Sequence, residues 1–157
     1  MNINYQYLKM FHIIGVVMFV GNIMVTALWK TTADRTRDAN IIAFAQRLVT
    51  ITDFIFTGFG AGLVFVTGFL MAFQYFDNFL SIKWIAWGLG LFIISGLIWI
   101  TALIPIQIKE AQMARKFVST GQIPEEYWRV ERLWMILGII ATILPFINIY
   151  FMVVKPN

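Results

Sequence analysis

Residues 54–76 read FIFTGFGAGLVFVTGFLMAFQYF, and residues 84–108 read WIAWGLGLFIISGLIWITALIPIQI. Neither stretch contains a charged residue, and only the seven residues DNFLSIK separate them. At about 1.5 Å of rise per residue, each forms a helix of roughly 35 to 37 Å, which is long enough for a hydrocarbon core of about 30 Å. Two further apolar stretches of similar length cover residues 7–29 and 133–154. The pattern predicts an all-α fold, an integral membrane four-helix bundle.

The composition supports this class. Of 157 residues, 60% are hydrophobic and only 13% are charged, against about 25% charged residues in soluble domains. The sequence predicts a single four-span domain over residues 1–157. The net charge of +4 does not indicate nucleic-acid binding, because the charges lie beside the ends of the spans, where lipid headgroups are expected. The absence of cysteine excludes disulfides, Cys-ligated metal sites and thiol catalysis.

The distribution of lysine and arginine predicts the orientation. The connection between the first and second spans and that between the third and fourth are flanked by nine such residues, whereas the opposite side has three. Cytoplasmic loops carry an excess of Lys and Arg, so we expect both termini outside the cytoplasm. The nine are Lys30, Arg35, Arg37, Arg47, Lys109, Arg115, Lys116, Arg129 and Arg132, and the three are Lys9, Lys83 and Lys155.

Helix end signals predict that helices 2 to 4 extend into the cytoplasm. Asp38 or Asn40 is suited to cap a helix that begins well before the second span. Gly121 is suited to end an extension of the third helix. Pro124, followed by two glutamates, is typical of the first turn of the fourth helix. We therefore expect a charged collar below the bundle.

Small and polar residues recur at three- and four-residue steps within the spans, and this spacing places them on helix faces that meet inside the bundle. Gly58 and Gly62 form a small-xxx-small pair, which is typical of close helix packing. The interior stripe of the first helix consists of His12, Gly15, Phe19, Asn22, Thr26 and Trp29.

His12 is the only histidine, and Lys9 lies one turn before it. A neutral imidazole can bind haem iron or copper or carry a proton, and Lys9 is suited to hold a propionate. The alternative is a histidine that only hydrogen-bonds a neighbouring helix. With one histidine per chain, a haem iron would be five-coordinate, or it would take Met71, Met152 or His12 of a second subunit as its sixth ligand. The alternative role for the two methionines is core filling.

A second charged group, around Asp53, is expected at the opposite end of the bundle. An unpaired carboxylate at the membrane surface is costly, so we expect a salt bridge from Asp53 to Arg35, Arg37 or Arg47. The sharper hypothesis makes Asp53 a proton acceptor connected to His12 by water. The hydroxyls and amide that would support such a chain are those of Asn22, Thr57, Thr67 and Ser95.

The residues that carry a resemblance to a known family are 8–15 (LKMFHIIG), 21–22 (GN), 26–30 (TALWK), 33–38 (ADRTRD), 44–47 (FAQR) and 52–53 (TD). Through them, the first half of the chain resembles a bacterial family of small predicted integral membrane proteins, a domain of unknown function. The Lys9-x-x-His12 start is more distantly similar to the four-helix haem-binding protoporphyrinogen oxidases and to the membrane domain of copper-resistance protein D. These resemblances imply the bacterial cytoplasmic (inner) membrane and, for the oxidases, His12 as haem ligand and oxidation of protoporphyrinogen IX.

Three functional classes follow. The leading hypothesis is a b-type haem-binding or redox membrane protein that uses His12. The second is a non-enzymatic accessory or scaffold subunit whose collar contacts a partner. The third is a permease for a small solute, ion or metal, which with four helices requires an oligomer. The expected partners are the lipid bilayer and a second copy or a larger membrane complex, and no residue pattern singles out catalytic residues.

Overall fold

The computed structural model of the protein describes residues 4–156. Within this range it consists of helices without any strand, which confirms the all-α bundle. Four helices are long and apolar enough to cross a membrane: α1 (Tyr5–Thr36), α2 (Ala39–Tyr75), α3 (Lys83–Thr120) and α4 (Glu125–Val154). All four continue beyond the apolar stretches of the sequence, and this includes α1, for which we expected no extension.

The helix ends follow the local sequence. Asp38 caps α2, because its side chain accepts hydrogen bonds from the backbone N–H groups of Asn40 at 2.8 Å and Ile41 at 3.1 Å. Gly121 ends α3 with a left-handed φ of 68°, a conformation that glycine adopts without steric cost. These two connections place the four helices in an up-and-down order.

The two ends of the bundle are named here by what they contain. The terminal end is where α1 and α3 begin and α2 and α4 end, and it includes the short turn with the 3₁₀ segment Phe79–Ser81. The charged end is where α1 and α3 end and α2 and α4 begin. At the terminal end, α1 packs on α2 and α3 packs on α4. At the charged end, α2 also packs on α3, so that all four helices are joined.

Helices α2 and α3 each contain a wider π-helical segment, Asp53–Gly58 in α2 and Trp99–Leu103 in α3. The segment in α3 ends two residues before Pro105, which lacks an N–H and whose ring crowds the carbonyl one turn earlier. The two segments meet, since a Cβ on Gly58 would lie 3.4 Å from the Trp99 ring. Wider turns of this kind often occur at functional sites, and the segment in α2 begins with Asp53.

The close crossing of α1 and α2 depends on Gly15 and Gly60. A Cβ on Gly60 would lie 2.8 Å from the backbone nitrogen of Phe19, and one on Gly15 would lie 2.9 Å from the Gly60 carbonyl oxygen. The expected pair of Gly58 and Gly62 does not make this contact, because a Cβ on Gly62 would meet no atom within 4 Å. The Gly58–Gly62 pair was wrong for this contact, whereas Gly15 and Gly60 both occupy positions that the three- and four-residue spacing assigns to the interior faces.

The interior stripe of α1 also differs from the expectation at its last residue. Trp29 is 41% exposed, whereas the neighbouring Lys30 is only 1% exposed. The aromatic ring therefore lies on the outer surface of the bundle, and the lysine points inward. A buried lysine needs compensating charges, and these determine how the charged end is built.

Candidate functional site

Lys30 is the centre of a polar cluster at the charged end. Its ammonium forms an ion pair with Glu131 and lies 3.5 Å from Glu110 and 4.0 Å from Asp34. It also donates hydrogen bonds to Gln46 Oε1 at 2.8 Å and to the Tyr127 hydroxyl at 3.2 Å. The Lys30 cluster thus joins all four helices, and its members are Lys30, Asp34, Gln46, Glu110, Tyr127 and Glu131.

Aromatic rings enclose the ammonium of this cluster. It lies 5.4 Å from the centre of the Tyr127 ring and 5.3 Å from that of Trp134, within the range of cation–π attraction. Tyr127 is fully buried, and its hydroxyl donates to Asp34 Oδ1 at 3.2 Å. One ammonium therefore faces three carboxylates in an enclosed space. Glu110 is 0% exposed, and its oxygens accept no hydrogen bond from any residue in the described range 4–156.

A line of amide side chains leads from this cluster to Asp53. Gln46 donates to the Gln107 carbonyl oxygen at 3.2 Å, and the Gln107 side chain donates to Asp53 Oδ2 at 3.0 Å. Asp53 Oδ1 accepts from Asn22 Nδ2 at 2.8 Å and from the Thr57 hydroxyl at 3.2 Å. Both carboxylate oxygens of this 8% exposed residue are thus held by neutral donors.

The salt bridge expected for Asp53 is absent, because no lysine or arginine within residues 4–156 lies within 4.0 Å of its carboxylate. Arg35, Arg37 and Arg47 are exposed, and Arg37 stacks on the Trp128 ring at 4.2 Å. Neutral donors take the place of the cation, since they stabilise a buried carboxylate without the desolvation cost of a second ion. The structure does bring together Asn22 and Asp53.

A cavity of about 560 Å³ lies at the terminal end. All four helices contribute to its wall, which is mainly aromatic and aliphatic. A volume of roughly 300 to 1,000 Å³ is typical of small-molecule and cofactor sites. The cavity is lined by all four residues that the sequence nominated for cofactor binding: Lys9, His12, Met71 and Met152.

The hydrogen bond between His12 and Thr67 favours one tautomer of the histidine. Its Nδ1 lies 3.1 Å from the Thr67 hydroxyl oxygen, and that hydroxyl donates its single proton to the Leu63 carbonyl oxygen at 2.6 Å. This arrangement favours a hydrogen on Nδ1 that is donated to Thr67. In the neutral ring, Nε2 then keeps its lone pair, which is the arrangement found in metal-ligating histidines. The interhelical hydrogen bond and the ligand role are thus compatible.

Asn148 and Gly88 supply a polar spot in the wall of the cavity. Asn148 Oδ1 is buried and accepts no hydrogen bond from the residues that the structure describes. A Cβ on Gly88 would lie 2.8 Å from this oxygen, so only glycine leaves it room. A buried acceptor without a partner requires an explanation, and a ligand or water in the cavity would supply the missing donor.

An apolar layer, part of which lines the cavity, lies between His12 and the Asp53 site. Residues 13–21 of α1 and residues 58–66 of α2 contain no polar side chain. The hydroxyls expected to support a water chain bond elsewhere: Thr67 to its own helix and Ser95 to the Ala141 carbonyl oxygen at 3.0 Å. The terminal cavity and the polar network of the charged end are two separate sites.

Sequence reasoning did not single out the members of the Lys30 cluster on α3 and α4. Glu110, Tyr127 and Glu131 lie in the segments that were expected to form the charged collar, but none of them was predicted to be buried. One sequence feature could have identified them, because buried positions continue at helical spacing past the apolar spans. These positions are Gln107, Glu110, Ala114 and Phe117 in α3 and Tyr127, Glu131 and Trp134 in α4.

A comparison with protein families places the chain in one of them. A family model described as a predicted integral membrane protein (DUF2269) matches residues 6–156. No curated protein and no solved structure matches the chain. The distant similarity to protoporphyrinogen oxidases and to copper-resistance protein D therefore stays a prediction.

Proposed function

The chain belongs to the DUF2269 family of predicted integral membrane proteins, and from this premise we propose that it binds a b-type haem in the terminal cavity, with His12 as the iron ligand. The observation that carries the proposal is the position of His12. Its Nδ1 contacts the Thr67 hydroxyl at 3.1 Å, and the residue lines a cavity of ligand size. Haem held in this way supplies one-electron redox chemistry.

The residues around the cavity fit the parts of a haem. The aromatic wall suits the porphyrin plane, and Lys9 and Lys155 both line the cavity and suit the propionates. Lys155 lies over the Trp84 ring, with its ammonium 5.0 Å from the ring centre. Met71 and Met152 each offer a thioether for the second axial position. A b-type haem needs no covalent link, which agrees with a chain that has no cysteine.

The proposal includes the location. A multi-pass position in the bacterial cytoplasmic membrane, with both termini outside the cytoplasm, places the cavity on the outer side and the Lys30 cluster on the inner side. The support is the excess of Lys and Arg at the charged end. A reporter fused to the C-terminus tests this orientation, and cytoplasmic activity of the reporter would overturn it.

The deciding experiment is the visible spectrum of the detergent-purified protein, oxidised and dithionite-reduced, after expression with a haem precursor. We expect a Soret band that is lost in His12→Ala while circular dichroism remains unchanged. A colourless protein, or a Soret band that persists in His12→Ala, would overturn the proposal. To find the second ligand, Met71→Leu and Met152→Leu are compared with Met18→Leu, since Met18 lies outside the cavity lining.

A second candidate is an accessory or scaffold subunit, and one observation favours it. The segment of α2 before residue 54 leaves Ile41 46% and Phe44 64% exposed, although it lies beyond the apolar span. Exposed apolar side chains on a helix that projects from the membrane suit contact with a partner or a second copy. Native mass spectrometry of the solubilised protein tests this role: an associated chain should be lost in Phe44→Ser. The apolar layer gives no support to the third class, a permease.

A further inference from the structure

A pocket of about 390 Å³ lies between α1 and α4 at the charged end. Three arginines contribute to its wall: Arg35 and Arg37 from the end of α1, and Arg132 from the start of α4. Trp128 and Met135 add an apolar surface. The pocket lies far from His12 and shares no residue with the terminal cavity.

The three arginines have no acidic partner of their own. None of them lies within 4.0 Å of a carboxylate in the described range, although Asp34 and Glu131 line the same pocket. Both acids face Lys30 instead. Because the buried ammonium occupies the nearby carboxylates, the guanidinium groups remain available for an outside anion. Arg37 is already positioned by its stacking on Trp128.

The pocket lies at the level of lipid headgroups. Thr31 lies two residues after the end of the apolar stretch 7–29, and Arg132 directly precedes the stretch 133–154. Side chains one or two turns beyond an apolar span meet the interfacial region of the bilayer. Basic pockets between spanning helices at this level are suited to lipid headgroups that carry phosphate.

From these observations we propose that the pocket binds the phosphate of an anionic phospholipid, with phosphatidylglycerol as the fitting class. Guanidinium groups match phosphate oxygens with paired N–H donors. Three arginines outnumber the two carboxylates in the wall, so the pocket favours a ligand with net negative charge. Asp34 and Glu131 can accept hydrogen bonds from the hydroxyls of a glycerol headgroup.

The test uses delipidated full-length protein and measures thermal unfolding and native mass spectra after addition of one lipid at a time. We expect phosphatidylglycerol to stabilise the protein and to remain bound, and phosphatidylcholine to do neither. Loss of charge-assisted contacts to phosphate should weaken binding by about tenfold or more. The variants are Arg132→Gln alone and the triple variant Arg35→Gln, Arg37→Gln and Arg132→Gln.

A matched triple variant removes the same charge outside the pocket: Arg115→Gln, Lys116→Gln and Arg129→Gln, all exposed at the same end. Phosphatidylglycerol should bind this variant as it binds the wild type. Equal losses in the two triple variants would show general charge attraction and would overturn the site. Equal stabilisation by inorganic phosphate or by phosphatidylethanolamine would overturn the anionic lipid as ligand. The single variant keeps the test decisive if the triple variant does not fold.

Discussion

The two ends of the bundle differ in how tightly the four helices close. At the charged end, Lys30 is 1% exposed and contacts side chains from the three other helices. At the terminal end, the same four helices surround a cavity of about 560 Å³. Lipid chains are as apolar as leucine, so burial of apolar surface does little to draw helices together within a bilayer. Polar contacts between helices then decide where a bundle closes. The polar residues of this chain are concentrated at one end, and the other end stays open enough for a ligand.

The difference between the two ends suggests a separate role for each. The Lys30 cluster fixes the four helices relative to one another, and the apolar layer, which includes Gly15 and Gly60, lies between the polar network of the charged end and His12 in the cavity. A ligand in the cavity would then bind between helices whose relative positions are fixed at the charged end. Changes at the charged end should therefore affect stability, and changes in the cavity wall should affect ligand binding.

Among changes that test the contrast between the two ends, Lys30→Met should have the largest effect. The variant leaves Asp34, Glu110 and Glu131 without their shared cation, and we expect a loss of about 3 to 5 kcal/mol in the free energy of unfolding. Equilibrium unfolding in detergent micelles measures it. The control is Lys109→Met, which removes an exposed pair with Glu126 and should have little effect on stability, because solvent screens exposed ion pairs. Equal losses would show that the Lys30 cluster does not hold the charged end together.

Asp53→Asn should have the next largest effect. The variant keeps the shape of the side chain but places an amide N–H₂ among donors from Asn22, Thr57 and Gln107. Loss of a hydrogen bond to a charged group costs about 1.5 to 3 kcal/mol. The same unfolding titration applies, with Asp77→Asn in the exposed turn of the terminal end as control. An unchanged stability would mean that neutral donors do not hold the Asp53 carboxylate.

Gly60→Ala tests the layer between the two ends. The new methyl group would lie 2.8 Å from the backbone of Phe19, so α1 and α2 must move apart at a cost of about 1 to 3 kcal/mol. Gly62→Ala meets no atom within 4 Å and should cause no loss. Equilibrium unfolding measurements compare the stability of the two variants. A similar result for both would contradict the assigned crossing point.

The sequence predicted much of the fold because hydrocarbon imposes strong constraints. The length of the apolar runs, the Asp38 cap and the Gly121 stop depend only on local chemistry, and each appears in the structure. The interior faces were predicted less well. Trp29 and Lys30 are neighbours, and a rotation of one residue exchanges which of them is buried. Hydropathy favours burial of the tryptophan, whereas three carboxylates on α1, α3 and α4 favour burial of the lysine.

The candidate site shows the same limit. His12 and the two methionines share a cavity because helical spacing at similar depth is readable from the chain. The partners of Asp53 were not readable, since Gln107 approaches from a helix more than fifty residues away in the sequence. Whether a carboxylate meets a cation or a neutral amide depends on how the helices are arranged around each other. That arrangement is a tertiary property, and no local pattern contains it.

The smallest expected effect concerns Ser95, whose hydroxyl donates across the α3–α4 pair to the Ala141 carbonyl oxygen at 3.0 Å. Interhelical hydrogen bonds of this type contribute about 0.6 kcal/mol on average, so Ser95→Ala should lower the free energy of unfolding by about that amount. Thr101→Ala is the matched control, because that hydroxyl donates to Leu97 in its own helix. A loss in Ser95→Ala as large as that in Asp53→Asn would mean that polar contacts also fix the helices above the charged end. The lack of polar contacts between helices would then not explain why the terminal end is open.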